Sequence, residues 1–277
     1  MQKENDYIIL LNIFAHVLEA NKGTPIEEKY LDGEGLASKC FFHASSLLYL
    51  LRSTQIPELG INFFDPASIN VVARSALESF LVFHYVFAEP STEDDKDFRY
   101  LSWKLVDLIE RQKYEVLSPQ AKAKQEQERE IIEDIKTRVT KNRYFKKLTS
   151  KQQKSLLGGK QWRIKSWTEI GLSAGLSKDN AVSFYRFLCS YAHAGNMSIV
   201  QLQQCETAEQ QKRLCSATVY LTMITIAFFV KSYCQLFEKS KVFFEQNEEF
   251  SNIVKMWIQI GSTNLKDVDV DWEKQDF

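Results

Sequence analysis

Glycine and proline are scarce, 10 and 5 in 277 residues. Both interrupt helices, so their shortage among many long unbranched side chains predicts a helical chain. Cysteine is thin and scattered. Cys40, Cys189, Cys205, Cys215 and Cys234 are odd in number and form no C-x-x-C pair, which is the usage of a reducing compartment and offers neither a disulfide framework nor a zinc motif. Neither sign of charge dominates, at 35 basic against 36 acidic residues, so net charge names no partner. His16, His43 and His84 lack the spacing of metal ligands, Gly158-Gly159 lacks the Lys-Ser/Thr of a phosphate loop, and no G-x-S-x-G occurs. No metal and no cofactor is expected.

The first residues, Met-Gln-Lys-Glu-Asn-Asp, carry acids where an export signal carries only bases, so a cytoplasmic protein is expected. The most apolar run, from Ala217 to Val230, is shorter than the ~20 residues that span a bilayer and holds threonines. It predicts a central helix buried on most sides and no membrane contact, with a membrane span as the lesser alternative.

With 44% hydrophobic residues the chain can fill a sizeable core. Apolar residues recur at helical spacing from Asn5 to Asn21 (Ile9, Ile13, Phe14, Val17). A second helix is expected over 35–53. Asp65-Pro66 predicts an N-cap and a first-turn proline, Thr92 with Asp95 a capping box, and Ser118-Pro119 another start. Short helices are expected from Ser166 and from Ser177, the latter ending at Gly195 in a left-handed cap. A long helix over 207–240 and a last one over 242–260 follow. No strand pattern competes.

The expected architecture is a single all-α domain: N-terminal helices over 1–65, a core bundle from 66–118 and 162–260 built on the long apolar helix, a charged and basic helical excursion over 119–161, and a flexible acidic tail over 261–277. From Lys136 to Lys165 there is no acid at all. Lys141, Arg143, Lys146, Lys147, Arg163 and Lys165, with Tyr144, Phe145 and Trp162 among them, form a candidate nucleic-acid contact. The bland alternative is a solvated face balanced by the acids at 93–97 or in the tail.

The segment Tyr185-Arg-Phe-Leu-Cys-Ser-Tyr-Ala-His-Ala-Gly195 looks most like a site. Arg186, Ser190 and His193 stand four and then three apart, one stripe of a helix. Arginine binds phosphate through paired hydrogen bonds, histidine moves protons near neutrality, and serine can orient either. The bland reading has Ser190 bonding one turn back and His193 capping the helix end. A second apolar helix carries Arg74 and Glu78 one turn apart. Either they pair with each other, or Glu78 orients His193 or Arg186 and Arg74 adds a second cation. Residues 168–186 imitate a helix-turn-helix, but Phe184, Tyr185, Phe187 and Leu188 suit a core and not base edges.

Three blocks, Arg74-Ser-Ala-Leu-Glu78, then Trp162 with Ser166–Leu176, then Tyr185-x4-Ser190-x2-His193, resemble the bacterial family of unknown function DUF5677 from about Ile69 to Asn196. That resemblance implies a helical architecture and a site, but no reaction. The Arg186-x6-His193 spacing also resembles the HEPN superfamily, helical domains that often act as dimeric, metal-independent ribonucleases in toxins and phage defence. Where many of those carry a polar residue directly after the arginine, this chain has Phe187. The HEPN-like resemblance implies an RNA- or nucleotide-binding homodimer with Arg186 and His193 as the catalytic pair; in the mechanism expected from the residues, His193 is the general base or acid, Arg186 and Arg74 stabilise phosphate charge, Glu78 orients and Ser190 assists. The competing expectation is a non-catalytic helical interaction or scaffold module, in which the same polar cluster fixes helix packing.

Overall fold

The structure, a computed structural model, describes residues 2–264, so the acidic tail from residue 265 on lies outside the described residues. The chain is all-α. Its helices are α1 (Gln2–Asn21), α2 (Glu28–Leu50), α3 (Pro66–Phe83), α4 (Glu93–Arg111), α5 (Pro119–Lys141), α6 (Arg143–Lys146), α7 (Ser150–Leu157), α8 (Trp167–Ser173), α9 (Tyr185–Ala192), α10 (Asn196–Gln204), α11 (Ala208–Leu236), α12 (Glu238–Gln246) and α13 (Glu248–Ser262). The loop after α2 holds a small antiparallel hairpin that the spacing does not predict, β1 (Thr54–Ile56) and β2 (Ile61–Phe63), turning through Pro57 and Gly60.

The expected caps form. Asp65 accepts from the Ser68 amide ahead of Pro66, and Ser118 accepts from Ala121 ahead of Pro119. Thr92 accepts from the Asp95 amide to open α4. Full capping boxes, not foreseen, start α7 at Thr149–Gln152 and α11 at Thr207–Gln210. Each satisfies backbone donors that a helix start leaves orphaned.

Among the described residues two compact units form, 2–84 with 167–264, and 85–166. In the first, α11 is the central helix, packed by α1, α2, α3, α12 and α13. Phe229 gathers an aromatic core, with ring centroids 4.7 Å from Phe83, 5.4 Å from Phe14 and 5.8 Å from Phe80. The apolar run expected to be too short for a bilayer lies inside a 29-residue helix. Two stretches, Pro66–Ala88 and Ala208–Leu236, have the length and composition of a membrane span, and 72% of the α11 window is covered by protein. The α11 threonines cost little to bury, because Thr222 and Thr225 donate to carbonyls one turn back and Thr218 donates to Asn70 at 2.5 Å.

In the second unit α4, which the sequence reading groups with the core, packs on α5. The charged helix is therefore not a bare projection: it buries Ile132, Ile135 and Val139, and its Glu128 pairs with Arg111 of α4. Arg99 is the polar centre of this unit. It forms a two-pronged pair with Asp95 at 2.9 Å, donates to the Tyr85 carbonyl, pairs with Glu89, and stacks 4.4 Å from the Tyr85 ring.

Candidate functional site

The site grows from one contact between α3 and α9. Apolar residues at Ile69, Ala73, Ala76, Leu77 and Phe80 bury one side of α3, which leaves Arg74 and Glu78 together at the edge of that face. On α9, Leu188 and Tyr191 are buried, and Tyr185 and Cys189 stand one turn apart in line with His193.

Four side chains join in one network. Arg74 Nε and Nη2 each lie 3.0 Å from Glu78 Oε1, and the Tyr185 hydroxyl donates to the same oxygen at 3.0 Å. Arg74 Nη1 lies 3.1 Å from His193 Nε2. A guanidinium has only donors, so this contact makes Nε2 the acceptor and places the ring proton on Nδ1. The Arg74 guanidinium also stands 5.9 Å from the Tyr185 ring.

Electrostatics follow from this packing. Partial burial works against the charge on Arg74, but Glu78, Cys189 and Tyr185 outweigh it and hold the guanidinium above its ordinary value. Burial, and then the negative charge of Glu78, raise the Tyr185 hydroxyl well above the usual phenol range, so it stays a proton donor. Arg74 and Glu78 are half-buried, whereas His193 is exposed.

The imidazole sits at the C-cap of α9, in a turn the sequence reading places one residue off. Ala194, not Gly195, takes the left-handed conformation, with φ of 51°. The Gly195 amide donates to the Ser190 carbonyl at 2.7 Å and the Ala194 amide to Tyr191 at 3.5 Å, the paired bonds of a Schellman turn. Gly195 is required for close approach instead: a Cβ there would lie 2.6 Å from Ser190 Oγ and 3.2 Å from the Ser190 carbonyl.

The expected residues separate into two groups. Arg74, Glu78 and His193 come together. Glu78, however, holds Arg74 and Tyr185, and no bond joins it to His193 or Arg186. Arg186 is exposed on the neighbouring stripe and, among the described residues, has no hydrogen-bond or ion-pair partner. Ser190 packs against the Gly195 turn. Tyr185 was missed as a member, and Cys189 as its neighbour near Arg74; the row at 185, 189 and 193 is the signal that would have found them.

The basic segment lies in the second unit and is partly neutralised there. Arg143 pairs with Asp94 at 2.6 Å, Lys165 pairs with Glu89, and Arg163 donates to the Lys165 carbonyl. Lys141, Lys146 and Lys147 are exposed with no carboxylate partner among the described residues, and Lys147 Nζ lies 5.0 Å from the Tyr144 ring.

Residues 35–211, well over half of the chain, match a family of unknown function, DUF5677. The chain belongs to that family. The matched stretch contains the whole of α3 and α9, and so every member of the Arg74–Glu78–Tyr185–His193 network. No curated protein matches the chain, and no solved structure does.

Proposed function

We propose that this DUF5677 protein binds RNA or a nucleotide at the α3–α9 face and cleaves RNA there without a metal, with His193 in the role its HEPN-like spacing implies and Arg74 in the place that spacing gives to Arg186. The observation that carries the reading is the exposed imidazole of His193 held as an acceptor against a guanidinium that is itself anchored from behind. When a phosphate arrives, Nε and Nη2 of the rigid guanidinium stay on Glu78, a phosphate oxygen takes the place of His193 on Arg74 Nη1, and the exposed imidazole swings aside. That exchange frees the Nε2 lone pair to take the proton of a ribose 2′-hydroxyl. The 2′-oxygen then attacks phosphorus, the bond to the 5′-oxygen breaks, and that oxygen takes a proton from water while the His193 imidazolium returns its own to solvent, leaving a cyclic phosphate end.

Arg186 stands two helical turns from His193, ~10 Å along the axis, and so meets the chain beyond the scissile phosphate. In the second unit, Lys141, Lys146 and Lys147 are a separate candidate set of nucleic-acid backbone contacts. The same reading carries a cytoplasmic homodimer in a defence or toxin setting.

The test is cleavage of an end-labelled single-stranded RNA by the full chain in EDTA. His193→Ala should lower the rate by about 10²-fold or more with an unchanged melting temperature. A non-catalytic module is the second reading, favoured by the way Arg74, Glu78 and Tyr185 satisfy one another at a half-buried helix contact. It is upheld if the parent protein leaves RNA intact and His193→Ala lowers the melting temperature.

A further inference from the structure

The first unit holds a second feature that the RNA reading does not use. Between α1 and α2, floored by Tyr233 of α11, lies a cavity of about 350 Å³, within the range that encloses small molecules. The α1 wall is one helical face through Ala15, Leu18 and Glu19, with Lys22 just past its end, and the α2 wall is another, running from Glu34 to Phe41 and Phe42.

Its charge is unbalanced. Lys22 is committed to Glu19 at 2.9 Å. Glu34 has no cation partner among the described residues. Its Oε1 accepts instead from two neutral groups, the Asn21 amide at 2.5 Å and the Tyr233 hydroxyl at 3.4 Å. Both donors are buried, Asn21 at 2% and Tyr233 at 1% exposure, so the carboxylate is held in place by the core. Burial and the Glu34 charge push the Tyr233 hydroxyl up, which keeps it a donor. A half-buried carboxylate with only neutral partners favours a cation from outside. The aromatic rings beside it, with Phe42 64% exposed, suit a cation that is also greasy.

We propose that this cavity binds a small organic cation, an alkylammonium or quaternary ammonium, with its charge on Glu34 and its alkyl groups against Phe41 and Phe42. Asn21 and Tyr233 hold one Glu34 oxygen, which leaves the other for the ligand. The site owes nothing to the α3–α9 network, so either proposal can fail alone.

Calorimetric titration of the full chain with choline and with n-butylammonium tests it, with butyrate as the anionic control. Choline and butylammonium should bind with Kd below about 1 mM, and butyrate should not. Glu34→Gln, which keeps an acceptor for Asn21 and Tyr233, should weaken both cations at least tenfold at an unchanged melting temperature. Phe42→Ala, at an exposed ring, should weaken choline about threefold. The proposal is overturned if neither cation binds at about 20 mM, if butyrate binds equally well, or if both variants bind as the parent does.

Discussion

Nη1 of Arg74 stands 3.1 Å from Nε2 of His193, across 119 residues of sequence. The guanidinium reaches the imidazole only because Glu78 holds its other two nitrogens and Tyr185 holds Glu78. Glu78 is thus the keystone of the network. Glu78→Leu should cost about 1–2 kcal/mol, since it strips the acceptor from a half-buried cation. Glu78→Gln should cost clearly less. Chemical denaturation of the two variants checks the order, and equal losses would contradict it.

Asn70 ties α3 to α11. It is fully buried, donates to the Pro66 carbonyl at 2.8 Å and accepts from Thr218. Asn70→Leu keeps the volume and strands both partners, so it should destabilise the protein by about 2–3 kcal/mol. Pairing it with Thr218→Val should recover part of that loss, which a double-mutant cycle measures.

Gly261 lets α13 lie directly on α11. An added Cβ would sit 2.5 Å from Ile224 Cγ2 and 2.8 Å from Phe228 Cε2, all of them in a packed interior. Gly261→Ala should lower stability by about 1–3 kcal/mol, read as a fall in melting temperature.

Ala194 holds a left-handed backbone that costs an alanine roughly 1–2 kcal/mol and a glycine little. Ala194→Gly should therefore raise stability by about 0.5–1 kcal/mol. Its readout is the denaturation midpoint.

Alkaline pH should unfold the protein early. Burial pushes the Cys215 and Cys234 thiols up to about 12, and raises Tyr7, Tyr85, Tyr185 and Tyr233 as well. The unfolded chain releases these protons from about pH 8.5–10, whereas the folded chain keeps them to higher pH. In that window the folded state binds more protons, so stability is full below it and falls as pH rises. Denaturation midpoints from pH 7 to 11 should be level with respect to these groups up to about 8.5 and then decline.

The all-helical architecture was legible because apolar spacing and caps such as Asp65-Pro66 act locally. What escaped was short or depended on contacts distant in sequence. The π-helical segments His84–Ala88 and Asp179–Phe184 last 5 and 6 residues, too few for a changed period to show. The hairpin strands have three residues each. The proposed site was half legible for the same reason. The Arg74–Glu78 pair is a matter of spacing along one helix. Which row of α9 meets it depends on how the helix is rotated, and packing turned Tyr185 and Cys189 inward and left Arg186 outside. Spacing favoured the more polar row, although a tyrosine hydroxyl satisfies a carboxylate as well as a second charge would.

The backward-bent residue after His193 also limits how this protein can drift. Branched or bulky side chains at position 194 would fight the turn, whereas glycine, asparagine or aspartate would enter it with little resistance. A handful of small residues is therefore the permitted alphabet beside the imidazole, and a valine or isoleucine there would signal a relative whose α9 ends differently.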